Sequence, residues 1–526
     1  MKIVYRMDRV SSEAQSAIDR ASQAAFPYPL QRQSFVLGLW AGAIGWCLFG
    51  SVLAGFSLAV LVWAAGALWR RDEPPILAFC VAYQWFFVVT GFYFRLVTDR
   101  YPGLPVTGDL ETAVLLSLVG FLALAGGIRA GLYLVRHRFF FVQQSLHVRP
   151  VDYDVRRLFW TVACLYTVNW IVEIDPMEIR FDAAQVIYRV LEFRTIFLFL
   201  LFVVILQKRK GYQYGAAAML YVLAPRFASV MSNFKELFFL ACVALLGEWR
   251  PWSESDLDKA RSARIPLIAV GSGVALLVMG LVWEGGVKPV WRPAMRVGAV
   301  QGSVVDKVAA FAGTLHEAVP ALEMGAAFEA LASRMSSGIG YFSHVVERVP
   351  EHLPYENGRL TLRALQLTLT PRFLFPDKPN LGADSWLIRE YAGLYVAGEE
   401  NETSVGLGYM AEFYIDYGVP GILVLTFLYG CAVGLVYATI LLFSPSHSFF
   451  CGAVTAILLQ HFASYEGEIA KLLGGLLQAC IIFSILSYVT GRLWHGQLLL
   501  SRVGRDSRAP GISAGAETLG ARSVTS

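Results

Sequence analysis

Two cationic side chains next to prolines stand in the most polar stretch of an apolar chain, residues 369–421. Arg372 follows Pro371, and Lys378 precedes Pro379. The guanidinium fork of arginine matches phosphate oxygens bidentately, and lysine adds a compact positive charge. Such cations can stabilise the charge that develops on a departing phosphate group. The stretch therefore indicates group transfer from a phosphate, with Arg372 and Lys378 as candidate catalytic cations.

A transfer of this kind also needs a base that takes the proton of the acceptor hydroxyl. Glu412 is the first candidate, because it follows a glycine-rich turn beside the start of an apolar run. The reserve candidates are Glu400, Asp384, Glu466 and His344. The aromatic residues of the same stretch that could stack on sugar faces are Trp386, Tyr391, Tyr395, Phe413 and Tyr414.

The composition places these residues in a membrane protein. Of the 526 residues, 56% are hydrophobic and 16% are charged, which is too apolar for an ordinary soluble protein. The seven cysteines fall in apolar runs, and no metal-ligand spacing, Walker loop or dinucleotide fingerprint stands out. We therefore expect no metal and no cofactor, and the net charge of +4 gives no sign of a nucleic-acid partner.

Apolar runs predict about twelve membrane-spanning helices, since about 20 residues of helix cross a bilayer core of about 30 Å. The expected fold is an all-α polytopic membrane protein with one large outward-facing loop between spans 9 and 10. Its parts are a flexible N-terminus (1–33), spans 1–9 (34–283), the loop (284–419), spans 10–12 (420–489) and a flexible tail (490–526). The predicted spans are Gln33–Gly50, Ser51–Trp69, Pro75–Val97, Glu111–Val135, Leu158–Val172, Val186–Leu206, Tyr214–Val230, Phe234–Trp249, Ile265–Trp283, Pro420–Leu442, Phe449–Ala463 and Leu472–Val489.

The distribution of lysine and arginine predicts the orientation. These residues collect on one side of the spans, from Arg70 and Arg71 to the tail, and the positive-inside rule makes that side cytoplasmic. Both termini are then cytoplasmic, and the loop is periplasmic in a cell with an outer membrane. Within the loop, Val304–Val319 and Met324–Val346 have apolar residues at helical spacing, which predicts amphipathic helices on the membrane or over a cavity.

Arg194 is a cation at membrane depth. The apolar run Thr195–Leu206 is too short to cross a bilayer alone, so the span must continue back through Arg194. A cation there should face a protein interior or a polar cavity, where it binds a ligand or joins an internal ion pair. Glu192 and Arg189 lie three residues apart and could pair.

Further cations lie in or near the same outward region. Arg226 and Lys235 stand in the turn between two short spans, Arg334 lies on a predicted loop helix, and the turn His461–Lys471 adds His461, Glu466 and Glu468. Together with Arg194, the first three are candidate ligands of a pyrophosphate. Structural alternatives compete with this role, since interfacial cations also anchor turns and Glu412 also suits a helix N-terminus.

The polar stretch resembles the outward-facing loop of the bacterial oligosaccharide repeat-unit polymerases, the Wzy-type O-antigen and exopolysaccharide polymerases. The resemblance is clearest between Arg334 and Gly430. The matching elements are Pro371-Arg372, Pro376-Asp377-Lys378-Pro379, the glycine-rich turn Gly406 to Gly408, Glu412 to Tyr414, and Tyr417-Gly418.

This resemblance implies a membrane glycosyltransferase of the bacterial inner membrane. Such an enzyme joins undecaprenyl-diphosphate-linked oligosaccharides, as donor and acceptor, into O-antigen, capsular or exopolysaccharide chains by metal-independent transfer. Its partners would include membrane lipids, a flippase and a chain-length regulator. The resemblance also supports Arg334, Arg372 and Lys378 as site residues.

Three other functions compete with this one. A ligase that passes finished glycan to another acceptor would use the same cations with a different acceptor groove. A flippase should carry charges through the whole depth of its spans, whereas here they gather at the outer end. A sensor with an outer ligand-binding loop lacks a cytoplasmic output domain.

Overall fold

The computed structural model describes residues 30–70, 73–103, 108–135, 153–174, 187, 190–227, 235–249, 263–296, 304–370, 375, 385–398 and 404–494. The long elements of these residues are helices, and each of the twelve predicted apolar runs overlaps one. In chain order they are α1 (Leu30–Phe49), α2 (Val52–Leu68), α3 (Ile76–Thr98), α4 (Leu110–Leu134), α5 (Val155–Ile174), α6 (Arg194–Lys208), α7 (Tyr212–Phe227), α8 (Lys235–Gly247), α9 (Ile265–Leu281), α10 (Lys288–Arg296), α11 (Val304–Ala318), α12 (Met324–Arg348), α13 (Arg359–Leu369), α14 (Tyr409–Phe443), α15 (His447–His461) and α16 (Ile469–Trp494).

The lengths and compositions of these helices indicate a membrane protein. Within the described residues, six helical stretches are long and apolar enough to cross a bilayer. They are Ile76–Thr98, Leu110–Leu134, Val190–Lys208, Ile265–Met295, Tyr409–Phe443 and Ile469–Val489.

Helices α4 and α14 pack through paired glycines. A Cβ on Gly127 would lie 2.0 Å from the carbonyl oxygen of Phe427, and one on Gly434 would lie 2.4 Å from that of Ile128. Glycines four residues apart let two membrane helices approach backbone to backbone. This packing fixes the position of α14, whose first turns carry Glu412.

Helix α14 contains a reversal of chain direction at Gly418. The glycine has a φ of 64° and a ψ of −142°, which ends the first helical segment. The rings of Tyr409 and Tyr429 lie 5.2 Å apart, whereas twenty residues of straight helix would separate them by about 30 Å. Residues 409–417 therefore run back alongside the longer second segment.

This arrangement differs from the predicted start of span 10 at Pro420. Residues 409–416 are all buried, and Met410 packs against Gly120 of α4. They therefore lie inside the bundle, although the sequence groups them with the outer loop. Hydropathy alone does not reveal the difference, because a reversed apolar segment and a continuous one have the same composition.

The predicted end of span 9 at Trp283 is also earlier than the end of the helix. A π-helical turn, Val282–Val287, follows α9 and leads directly into α10. A Cβ on Gly285 would lie 2.5 Å from the Cβ of Ala327 on α12. The helix thus continues where the sequence suggests a loop, and the absence of a side chain at Gly285 allows it to pack closely on α12.

Helix α12 packs against α3 and α4. Its buried face is rich in small residues, among them Ala332, Ser336 and Gly340. The hydroxyl of Tyr101, in the connection between α3 and α4, donates a hydrogen bond to the carbonyl of Ser336 at 2.6 Å. The amphipathic pattern of this segment thus serves packing on protein, and it positions Arg334.

Candidate functional site

The α15–α16 turn, defined as residues 461–469 from the last residue of α15 to the first residue of α16, lies deep beside α3. The side-chain amide of Gln84 donates to the carbonyl of Phe462 at 2.7 Å, and its oxygen accepts from the Tyr409 hydroxyl at 2.9 Å. Gln84 lies fourteen residues before Thr98, which is about 21 Å along the helix axis. This α15–α16 turn is therefore far below the C-terminal end of α3.

The middle of the α15–α16 turn binds Arg334 through Glu466. Nη1 of Arg334 lies 3.0 and 2.9 Å from the two carboxylate oxygens, and the Ser337 hydroxyl donates to the same carboxylate at 2.7 Å. Partial burial is the largest influence on the pKa of Arg334 and acts to lower it, but the charge and the hydrogen bond of Glu466, with smaller contributions from Glu284 and Tyr83, together raise the pKa. The Arg334 side chain is therefore charged, and it remains 46% exposed.

The start of the α15–α16 turn binds Glu192. Nε2 of His461 lies 3.3 Å from a carboxylate oxygen of Glu192. The predicted pairing of Glu192 with Arg189 stays a prediction, because Arg189 lies outside the described residues. The sequence shows His461 as an ionisable group of this turn but does not indicate its role, because a partner 269 positions away leaves no local pattern.

Arg194 lies two residues beyond Glu192, at the first turn of α6. Its Nη1 donates to the carbonyl of Leu191 at 2.7 Å, and its guanidinium lies 5.2 Å from the ring centre of Tyr166. The Nε atom is buried and has no hydrogen-bond partner within the described part of the chain. Arg194 thus faces protein, as the sequence predicts, and retains a donor that a bound anion could use.

Glu412 lies below the end of the α15–α16 turn. The residue is 3% exposed, and its Oε1 accepts a hydrogen bond from the backbone N–H of Ile469 at 3.0 Å. The carboxylate thereby caps the N-terminus of α16, where a negative charge is favourable. The contact gives Glu412 a structural task, and its role as a base stays a prediction.

Lys235 is the next predicted cation near this turn. Its ammonium donates to the Tyr83 hydroxyl at 3.2 Å and lies 5.7 Å from the centre of that ring. Tyr83 precedes Gln84 and is close enough to Arg334 to interact with it electrostatically. The structure therefore brings Lys235 and Arg334 near the same tyrosine.

Two predicted aromatic residues lie away from this site. The Tyr414 hydroxyl donates to the carbonyl of Val349 at 3.2 Å, within the packing of residues 349–358 on α14. Trp386 lies in a separate segment, beneath the guanidinium of Arg363.

Arg226 belongs to the last turn of α7, but its side chain is outside the described residues. Arg372, Lys378, Asp384 and Glu400 also lie outside them. The predictions on these residues remain open.

Two polar residues of this site were missed by sequence analysis. Gln84 joins the α15–α16 turn to α14, and the Tyr465 hydroxyl shares a hydrogen bond of 2.9 Å with Ser117 of α4. An amide within an apolar span was an available sign for Gln84, because buried polar groups in membranes need partners. Among the described residues, no group of three or more His, Cys, Asp or Glu side chains could hold a metal ion.

Comparison with known proteins gives a family without an assigned activity. No curated protein and no solved structure matches the chain. The family model of DUF8712, a domain of unknown function, matches residues 155–462. The matched range contains Arg194, Arg334 and Glu412, whereas Gln84 and Glu466 lie outside it. Because this match covers more than half of the sequence, the chain belongs to the DUF8712 family.

Proposed function

We propose that this protein is a membrane glycosyltransferase that joins undecaprenyl-diphosphate-linked oligosaccharide repeat units into O-antigen, capsular or exopolysaccharide chains. The observation that carries the proposal is the α15–α16 turn. It contacts Arg334 through Glu466, Glu192 through His461, and Glu412 through the N–H of Ile469. Ionisable groups from three distant parts of the chain thus meet at one turn, beside Arg194 and Lys235.

The proposed chemistry is transfer of a glycan from a diphosphate to a hydroxyl. Arg194, Arg334 and Lys235 bind the pyrophosphate, and their charges stabilise it as the bond from the sugar C1 to the phosphate oxygen breaks. The acceptor hydroxyl forms the new C1–O bond and gives its proton to a carboxylate. Of the two candidates beside the turn, Glu466 has a side chain 16% exposed while Glu412 is 3% exposed. Glu466 is therefore the more accessible base.

The proposed setting is the outer face of the bacterial inner membrane. Twelve spans, two cytoplasmic termini and a periplasmic loop make the α15–α16 turn an outward connection that is recessed beside Gln84 of α3, and a flipped lipid-linked sugar presents its diphosphate from that side. A flippase would supply these substrates, and a chain-length regulator would act on the product. Arg372 and Lys378 belong to the same site by their place in the proline-rich motif.

The main test is deletion of the gene, followed by gel analysis of surface glycan and of the lipid-linked pool. Loss of a polymerase leaves single repeat units or no surface glycan, and the native gene restores the ladder. Long chains stranded on the lipid carrier would instead indicate a ligase, and an unchanged ladder would contradict both functions.

Arg194→Lys tests the role of the guanidinium. Lysine keeps the charge but loses the fork that grips two phosphate oxygens, so polymer yield should fall about tenfold, which corresponds to about 1.4 kcal/mol. Protein abundance in the membrane should be unchanged. Full activity of this variant would assign Arg194 to a structural contact with Tyr166 and Leu191.

A further inference from the structure

The segment 385–398, between α13 and α14, closes on itself through hydrogen bonds. The Ser385 hydroxyl donates to the carbonyl of Ala397 at 2.8 Å and accepts from the N–H of Val405 at 3.1 Å. Nε and Nη2 of Arg389 both donate to the carbonyl of Val396, at 2.9 and 2.6 Å. These contacts hold the segment in one conformation before any ligand arrives.

The same segment is fixed to the start of α13. The buried Tyr391 donates from its hydroxyl to the Glu356 carboxylate at 2.6 Å and accepts from Arg359 at 2.8 Å. Hydrogen bonding to Arg359 lowers the pKa of Glu356, so the carboxylate is ionised at neutral pH. Glu356 therefore neutralises Arg359, and the two arginines discussed next are not part of this pair.

Two arginine–aromatic pairs involve aromatic rings of the segment 385–398. The guanidinium of Arg363 lies 5.0 Å from the ring centre of Trp386, and that of Arg389 lies 4.8 Å from the ring centre of Tyr395. Tyr395 is 78% exposed and Arg363 is exposed, while Trp386 is half-buried. Each pair fixes a guanidinium against a ring. Arg363 presents an exposed guanidinium, whereas Arg389 supports the Tyr395 ring and already donates from Nε and Nη2 to the Val396 carbonyl.

We propose that Arg363, Trp386 and Tyr395, with Arg389 holding the Tyr395 ring, form a binding surface for an acidic sugar of the repeat unit, and that Arg363 recognises the carboxylate of a uronic acid. The C–H face of a sugar stacks on an aromatic ring, and guanidinium N–H groups bind a carboxylate with charge-assisted hydrogen bonds. A surface for a neutral glycan would need the rings alone. The rings are predicted from the sequence as platforms for sugars, but the position of Arg363 over Trp386 is visible in the structure alone.

A membrane anchor is the other use of exposed aromatic rings, since tyrosine and tryptophan favour the lipid interface. Here each ring has a cation over one face. Burial of that ring in lipid would carry the charge toward hydrocarbon, at a cost of about 2.5–3.5 kcal/mol near the bilayer centre and less near its surface. A polar, acidic ligand fits these pairs better.

This inference rests on the proposed function, because it names the chemical class of the glycan that the enzyme would handle. The test uses the purified full-length protein in detergent and titrates trigalacturonate, with maltotriose as the neutral comparison, by ligand-observed NMR. The expected results are binding of trigalacturonate in preference to maltotriose, and weaker binding at high salt. The double variant Arg363→Gln/Tyr395→Ala should bind about tenfold more weakly, because it loses one charge-assisted contact and one stacking face.

Arg100→Gln is the matched control, because it removes another exposed arginine in the connection after α3. It should leave trigalacturonate binding unchanged. Equal binding of both sugars, no binding of trigalacturonate, or unchanged binding by the double variant would overturn the proposal. If the double variant lost binding to anionic vesicles but kept its binding of trigalacturonate, the surface would be assigned to lipid instead.

The gel test of the proposed function is independent of this titration. A deletion that leaves the glycan ladder intact, together with selective loss of trigalacturonate binding in the double variant, would refute the polymerase and support the acidic-glycan surface. A deletion that abolishes the ladder, together with no preference for trigalacturonate over maltotriose, would support the polymerase and refute the acidic-glycan surface.

Discussion

Two ion pairs lie near α3, one at its N-terminal end and one beside its middle, and they differ in exposure. At the N-terminal end, Arg70 and Glu73 lie 3.1 Å apart with side chains 13% and 0% exposed, and the Tyr437 hydroxyl donates to the same carboxylate. Beside the middle of α3, Arg334 and Glu466 lie 2.9 Å apart with side chains 46% and 16% exposed. The first pair is enclosed by protein, whereas water or a ligand reaches the second.

This difference separates stability from ligand binding. Water cannot compensate a buried charged group that loses its partner, so the Arg70–Glu73 pair is needed for the stability of the folded state. An exposed pair contributes little to stability and can exchange its partner for a phosphate. The Arg334–Glu466 pair is therefore the one that can open when a substrate arrives.

The largest expected effect belongs to the enclosed pair. Glu73→Ala leaves Arg70 without its carboxylate in a buried site and should lower the free energy of unfolding by about 3–5 kcal/mol. Titration of the purified protein with a denaturing detergent measures this change. Tyr437→Phe is the control, since it removes a single hydroxyl and should cost about 1 kcal/mol. Equal stability of Glu73→Ala and the native protein would contradict the assignment.

A smaller effect is expected for Glu412, whose carboxylate caps α16. Glu412→Ala removes the acceptor for the Ile469 N–H and should cost about 0.5–2 kcal/mol. Glu412→Gln keeps an oxygen acceptor but cannot take a proton at neutral pH, so it should retain most of the stability. Polymer yield then decides the role: an inactive, stable Gln variant supports the base, and an active one leaves Glu412 as a cap.

The positions of the helices were largely predictable from the sequence, because apolar runs of membrane length must satisfy their own backbone hydrogen bonds. The predicted span Pro75–Val97 corresponds to α3, Ile76–Thr98, and the loop segment Met324–Val346 corresponds to α12, Met324–Arg348. The number of spans and the orientation remain predictions.

The contacts of the site were much less predictable. The reversal at Gly418 depends on one pair of backbone angles, and the apolar residues on either side give no sign of it. Arg334 and Glu466 lie 132 positions apart, so helical spacing could not pair them. Sequence analysis identified the ionisable types and their general location, and tertiary packing then determined which groups meet.

The exposed pair should give a small stability effect together with a large activity effect. Arg334→Gln is expected to change the free energy of unfolding by about 1 kcal/mol or less, while polymer yield should fall strongly because a pyrophosphate ligand is lost. Arg100→Gln is the matched control with normal yield. A ladder of normal length from Arg334→Gln would remove this residue from the proposed site, and a loss of stability near that of Glu73→Ala would erase the contrast between the two pairs.

The smallest effect concerns the pH dependence of the Glu356–Arg359 contact, an exposed pair that supports the segment 385–398. The hydrogen bond from Arg359 lowers the pKa of Glu356 in the folded protein below its usual value of about 4.5. The carboxylate therefore stabilises the fold above that value, and the contribution is lost as the pH falls through the lower, folded-state pKa. Because the pair is near the surface, the difference between native protein and Glu356→Gln should be about 0.5 kcal/mol or less at pH 7.

Stability measured at pH 7 and at pH 3 for the native protein, Glu356→Gln and Arg359→Gln checks this sign. The advantage of the native protein over both variants should shrink at pH 3, because this pH lies below the usual value of about 4.5 and the unfolded chain, with its higher pKa, then takes up the proton more readily than the folded protein. A difference that persists at pH 3 would mean that packing of Tyr391, rather than charge, holds the segment on α13. That result would group this contact with the enclosed Arg70–Glu73 pair as important for folding. Exposure would then no longer indicate which ion pairs are dispensable.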